Sequence, residues 1–116
     1  MLQYLFAMKA TQADRKRLEA ETQRIVDQMK SLGAVKVILF GSLARQRISL
    51  FSDIDLLVLF DDERSSRELG RWAYQNLDTS EAVDLLVYNK KSFLDLQHRP
   101  FFRHILSESK VLYERP

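Results

Sequence analysis

Cysteine is missing from this 116-residue chain. That excludes disulfides, thiolate metal sites and a cysteine nucleophile, and makes an intracellular, cytoplasmic setting the natural expectation. No apolar stretch approaches the ~20 residues needed to span a bilayer, so no membrane role is expected. The opening Met1 to Met8 is apolar but has neither a charged start nor a small-residue cleavage pattern, and is not read as a secretory signal. The absence of a Gly-x-Gly-x-x-Gly loop excludes a dinucleotide-binding fold, and the absence of a Gly-x-Ser-x-Gly elbow counts against a serine hydrolase. Repeats, linkers and low-complexity tracts are lacking as well. With 46% hydrophobic and 29% charged residues, 1–116 reads as a single domain with enough apolar sequence for a core.

The net charge is only +2, but it is unevenly spread. Residues 1–33 carry six Lys/Arg against four Asp/Glu, residues 34–88 six against nine, and residues 89–116 six against three. An acidic middle flanked by basic segments suits a cation-binding centre beside surfaces that could meet phosphate, RNA or an acidic partner. Any single one of these charges is more often just a solvated group.

The middle segment contains the stretch around which the rest is organised, Val35 to Phe60. An apolar run, Val35 to Phe40, ends at Gly41-Ser42. A short polar segment follows, and a second apolar run carries Asp53 and Asp55 at its start. This reads as strand, turn, short helix, strand. Side chains alternate along a strand, so Asp53 and Asp55 share a face with alpha-carbons about 6.5 to 7 Å apart. Two anions on one apolar strand repel unless a cation neutralises them, and oxygen-only donors suit Mg²⁺ bound jointly by carboxylates and phosphates. Glycine at position 41 permits a tight turn and close backbone approach, with Ser42 placed to meet phosphate.

Gly41-Ser42, ten residues, then Asp53-x-Asp55 resembles the polymerase-beta-like nucleotidyltransferases. Gly41-Ser42-Leu43-Ala44-Arg45 and Ser52-Asp53-Ile54-Asp55-Leu56-Leu57-Val58 are specifically similar to the minimal nucleotidyltransferases, known members of which are commonly paired with a helical HEPN-family toxin. The resemblance runs from about Ile25 to Glu114. It implies an α+β, polymerase-beta-like nucleotidyltransferase fold, a mixed β-sheet flanked by helices. It also implies two Mg²⁺ ions held by Asp53, Asp55 and Asp84, with ATP as substrate held at Gly41, Ser42 and Arg45. The implied partner is a HEPN toxin, modified by AMP transfer to one of its tyrosines, with no direct nucleic-acid binding. This chain departs from the pattern at Leu43, where a polar residue is common, at Gln46, where glycine is common, and in the apolar loop Ile48-Ser49-Leu50-Phe51.

Along the rest of the chain, Thr11 and Asp14 resemble a capping box and Gly33 a helix stop, so 11–32 reads as one long helix. Its buried stripe is Leu18, Thr22, Ile25, Val26, Met29 and Leu32. Leu2, Leu5 and Phe6 ahead of it are either an extra core element or a contact surface. A helix is expected from Ser66 to Leu77 with Leu69, Trp72, Ala73 and Leu77 inward, and a strand from Ala82 to Tyr88 that carries Asp84. Asn89 caps a short helix through Gln97, Pro100 starts another reaching about Ser107, and Lys110 to Glu114 is a last edge strand. Three or four strands and some four helices make a two- or three-layer domain.

Rival readings rest on fewer residues. Arg99 and His104 match an arginine-x4-histidine pattern like that of the HEPN ribonucleases, but those are all-helical; surface histidines are the better expectation for His98 and His104. Ser42 as a nucleophile lacks a nearby histidine. Arg45 and Arg47 are candidate phosphate or acceptor contacts. An antitoxin that acts by binding alone is the non-enzyme alternative, kept open by Gln46 and the apolar loop, and transfer to a small molecule is a third. Leu43, Ile48, Leu50 and Phe51 either rim the site as a contact surface or tuck into the core.

Overall fold

A computed structural model of the protein describes residues 11–48 and 52–116. Helix α1, Gln12–Leu32, opens on the expected capping box: the Asp14 backbone N–H donates to the Thr11 hydroxyl at 3.1 Å, and the Thr11 N–H donates to the Asp14 carboxylate at 2.9 Å. It ends at Gly33, whose φ of 102° lets its N–H reach back to the carbonyls of Lys30 and Met29. Leu18, Thr22, Ile25, Val26 and Met29 are buried as the periodicity requires, and the Thr22 hydroxyl donates to the Leu18 carbonyl at 2.6 Å.

Strands β1 (Ala34–Phe40), β2 (Ile54–Phe60), β3 (Val83–Asn89) and β4 (Lys110–Glu114) form one mixed sheet in the order β3-β2-β1-β4. β1 runs antiparallel to both β2 and β4, whereas β2 and β3 are parallel. A parallel pair needs a crossover, supplied here by helix α3, Ser66–Gln75, whose Ser65 cap accepts from the Glu68 N–H. α3 stops two residues short of the expected Leu77: Asn76 caps it, and Leu77 packs against the core from beyond its end. β3 starts and ends one residue later than expected, because the Asn89 that ends the strand also caps helix α4, Lys90–Leu96, through its side chain. Asn89 is buried, donates to the carbonyls of Asp62 and Arg64, and receives the Lys91 N–H. Helix α5, Pro100–Ser107, begins at its proline as expected.

Both sheet faces are covered, which settles the layer count at three. On one face, Val37, Leu39, Ile54, Leu56, Val58, Phe60, Leu85 and Val87 pack on α1 and α3. On the other, Ile38, Leu57, Leu59, Leu86 and Tyr88 meet Phe93 of α4 and Phe102 of α5, with Tyr88, Phe93 and Phe102 in mutual ring contact at 5.3 to 5.8 Å. β2 is therefore apolar on both sides, as buried parallel neighbours are. The exception is its first turn of sequence, where Asp55 falls on the α4/α5 face. Leu43 and Ile48 are buried in the larger core cluster, which removes them from any exposed rim. Leu2, Leu5, Phe6, Leu50 and Phe51 lie outside the described residues. No helix among the described residues is long and apolar enough to cross a membrane.

Candidate active site

The end of β1, the starts of β2 and β3, and the four-residue helix α2, Gly41–Ala44, converge at one end of the sheet. Phe40 is the register partner of Asp55 across β1–β2, and Asp84 is its register partner across β2–β3. Neighbouring strands stand ~4.8 Å apart, so the two carboxylates are adjacent on one face. Asp53 lies one residue ahead of β2 rather than inside it, and is exposed. Asp84 is exposed too, on an outer strand of the sheet, so its apolar sequence neighbours do not bury it.

Asp55 is half-buried. Its pKa is pushed up to about 6, first by burial, then by the charges of Asp84 and Asp53, with Arg45 pulling in the opposite direction. Three of the charged residues singled out in the sequence, Asp53, Asp84 and Arg45, thus act on a fourth, Asp55, in the fold. Among the described residues, no three acidic, histidine or cysteine groups close into a tight metal cage. The donor chemistry nonetheless fits a hard cation: the groups that would hold it, Asp53, Asp55 and Asp84, are all carboxylates, and a divalent ion would stabilise an anion held in partly desolvated surroundings beside two like charges.

Gly41 is required by two independent facts. Its φ is 73°, and a Cβ built on it would stand 2.1 Å from the Asp55 Oδ2 and 3.0 Å from its Cγ. The carboxylate thus occupies the space that any other residue would fill, with the turn's backbone directly against it. Ser42 follows, its hydroxyl donating to that of Ser52 at 3.3 Å, which ties the turn to the residue just ahead of Asp53. The turn closes behind α2 through the Arg47 N–H on the Ser42 carbonyl at 2.9 Å. Gln46 adopts a φ of 61°, a left-handed conformation that is uncommon outside glycine.

Two contributors escaped the sequence reading. The Tyr74 hydroxyl of α3 accepts the Leu85 N–H at 2.7 Å and donates to the Leu85 carbonyl at 3.4 Å, closing the outer edge of β3 next to Asp84. A tyrosine on an amphipathic helix carries no sequence mark of such a task. Glu108, just after α5, pairs with Arg45 at 3.8 Å, a meeting that depends on how α5 is set against α2. His98 and His104 are exposed, as expected of surface histidines.

Residues 21–116 match the family model described as polymerase beta, nucleotidyltransferase. The chain therefore belongs to the polymerase-beta nucleotidyltransferase family. Among solved structures, it is similar to a protein from Sulfolobus solfataricus described as a candidate nucleotidyltransferase, with a TM-score of 0.63 and 20% identity over 87% of this chain and 84% of that one. That likeness shows a shared fold. No curated protein matches the chain.

Proposed function

We propose that the protein transfers the AMP part of ATP to an acceptor hydroxyl with Mg²⁺, and that the acceptor is a tyrosine of a HEPN-family toxin, with this protein as the antitoxin. The observation that supports the transferase reading is the close approach of the Gly41 turn to Asp55, which sets the turn's backbone directly against a carboxylate that burial and two neighbouring carboxylates disfavour as an anion. Asp53 and Asp55 face the donor's triphosphate, and Asp84, on the neighbouring strand, faces the acceptor side. Ser42 contributes a hydroxyl to the terminal phosphates. Bound among these carboxylates, two magnesium ions would supply charge neutralisation for the departing pyrophosphate and acidify the acceptor hydroxyl. The chain itself holds the reactants in line and provides fixed charges, and no covalent enzyme intermediate is required. The toxin as acceptor rests on the resemblance to minimal nucleotidyltransferases.

The test is incubation of purified toxin with labelled ATP, Mg²⁺ and either wild-type protein or Asp53→Asn. Label on a toxin tyrosine with the wild type, falling to background with the variant, is expected. Asp53 is exposed, so melting of the variant should shift by no more than ~0.5 kcal/mol. Full transfer by Asp53→Asn would remove it from the site. Neutralisation of the toxin without any label would favour the antitoxin that works by binding alone, a reading consistent with carboxylates that do not close into a cage. Label on a small molecule instead would identify a different acceptor class.

A further inference from the structure

Leu43, Gln46 and Ile48, three positions at which the sequence departs from the pattern it resembles, come together on the wall of one cavity of about 210 Å³. Leu39 and Leu112 complete its apolar floor. Leu39, Leu43 and Ile48 belong to the core cluster on the α1/α3 side of the sheet, so the cavity lies on the face opposite Asp55, outside the roles just assigned. Its rim carries one charge of each sign, Glu19 from α1 and Lys110 from β4, both exposed. Among the described residues, neither forms an ion pair with the other or with a third group. Thr22 and Gln23, also on the rim, are already engaged within α1: the Thr22 hydroxyl donates to the Leu18 carbonyl at 2.6 Å, and the Gln23 amide donates to the Asp27 carboxylate at 3.0 Å. The two groups left for a visitor are thus one carboxylate and one ammonium, set around an apolar hollow.

Size and charge narrow the occupant. The volume is below the roughly 300 to 1,000 Å³ usual for drug-sized ligands, whereas an apolar cavity of about 150 Å³ already holds benzene. One ring or branched aliphatic group with a few further atoms therefore fits, and those atoms must answer both rim charges. We propose that the cavity binds a free α-amino acid with an apolar side chain, its ammonium on Glu19, its carboxylate on Lys110, and its side chain against Leu39, Leu43, Ile48 and Leu112. A single exposed ion pair contributes little, so selectivity comes from meeting both charges and burying the side chain together. The occupant also bears on the active site from behind. Leu43 and Gln46 belong to the turn that sets Gly41 against Asp55, a turn closed by the Gln46 N–H on the Leu43 carbonyl at 3.2 Å and the Arg47 N–H on the Ser42 carbonyl at 2.9 Å. A ligand packed on this wall restrains that turn without touching a carboxylate of the site.

NMR titration of the whole chain with L-phenylalanine, phenethylamine, 3-phenylpropionate and L-alanine tests this on the wild type, Glu19→Gln and Lys110→Gln. The two aromatic analogues each lack one charge, and L-alanine keeps both charges but lacks the apolar group. L-phenylalanine should bind the wild type about five-fold more tightly than either aromatic analogue, the scale of one hydrogen bond between charged groups at a partly wet rim, and L-alanine should show no saturable binding. Lys110→Gln should weaken L-phenylalanine and 3-phenylpropionate about five-fold and change phenethylamine less than two-fold. Glu19→Gln should do the reverse, weakening L-phenylalanine and phenethylamine while sparing 3-phenylpropionate. Both side chains are exposed, so melting of the free variants should match the wild type. Amide exchange at Gln46 and Arg47 should slow when L-phenylalanine is bound. No binding of L-phenylalanine, equal binding of all three aromatic probes, or affinities and amide exchange unmoved by the two substitutions and by the ligand would each overturn the proposal. None of these readouts requires nucleotide transfer, so the site stands or falls separately from the transferase reading.

Discussion

Glu21 on α1 and Asp55 on β2 are both carboxylates at the boundary between core and solvent, and the fold treats them in opposite ways. Glu21 accepts from Nε and Nη2 of Arg24 at 2.8 and 3.0 Å and from the Thr79 hydroxyl at 2.6 Å, and these bonds hold its pKa down to about 2. It thereby fastens α1 to the turn that leads into β3, alongside the bonds of Arg24 and Gln28 to the Asp78 carbonyl. Asp55 is pushed up to about 6 by burial and by two neighbouring carboxylates. At the first place charge contributes stability; at the second it opposes it. A group of anions kept together at a cost to the apo fold is what the proposed cation site would require, and Glu21 is the contrasting case of an acid whose charge is met by partners within the fold.

The largest expected effect is at the glycine that makes room for Asp55. Gly41→Ala adds a Cβ 2.1 Å from the Asp55 Oδ2 at a φ of 73°, so either the turn or the carboxylate must move. Left-handed strain alone is worth about 1–2 kcal/mol. A total loss of about 2–4 kcal/mol in chemical denaturation is expected with the overlap included, together with loss of nucleotide binding. A variant as stable as wild type that still binds ATP would mean that the turn and Asp55 are not in contact.

The pH dependence of apo stability, measured in chelator, compares the two acids directly. Asp55 has a folded pKa of about 6 against an ordinary value of 3.8. Below about pH 4 both folded and unfolded chains are protonated there, and no penalty exists. As pH rises from about 4 to about 6 the unfolded chain ionises first, so stability falls, and above 6 the penalty is complete. Asp55→Asn should remove that downward slope and raise neutral-pH apo stability by about 1 kcal/mol, a figure reduced for solvent screening of a half-exposed group. Glu21 behaves oppositely. Its folded pKa of about 2 lies below the ordinary 4.5, so its contribution is complete above about pH 4.5 and is lost as pH falls towards 2. Glu21→Gln should therefore lower stability at neutral pH by about 1 kcal/mol. Parallel pH profiles for the two variants would abolish the contrast.

The smallest effect sharpens the site's backbone rather than its charge. Gln46→Gly should relieve the left-handed strain at φ 61° and, after the extra entropy of an unfolded glycine, gain about 0.5 kcal/mol. A loss instead would mean that the Gln46 side chain, on the wall of the 210 Å³ cavity it shares with Leu43 and Ile48, contributes more than the strain costs.

Much of this molecule was legible in the order of its residues, because the interactions concerned are local or periodic. Thr11 with Asp14, Gly33, the cap of Asn89 on the Lys91 N–H, and Pro100 act within a turn of their own position, and the apolar alternation of β2 and β3 depends on neighbours in the chain. The ten-residue spacing between Gly41-Ser42 and Asp53-x-Asp55 follows from the length of a turn, a short helix and a return. What the tertiary structure alone decided involves partners far apart in sequence. The fate of the departures from the family pattern is one case: Leu43 and Ile48 enter the same buried cluster as Leu18 and Ile25 of α1. Gln46 stands where the closing turn demands a positive φ, which no side chain announces. Asp84 becomes a partner of Asp55 only through the parallel register of β3 on β2, and Tyr74 reaches Leu85 only because α3 packs on β3. Glu108 meets Arg45 across 63 residues of sequence. Chain-local hydrogen bonding and periodic burial leave a mark on composition and spacing, whereas a long-range charge contact is fixed by packing geometry, which a linear sequence does not display.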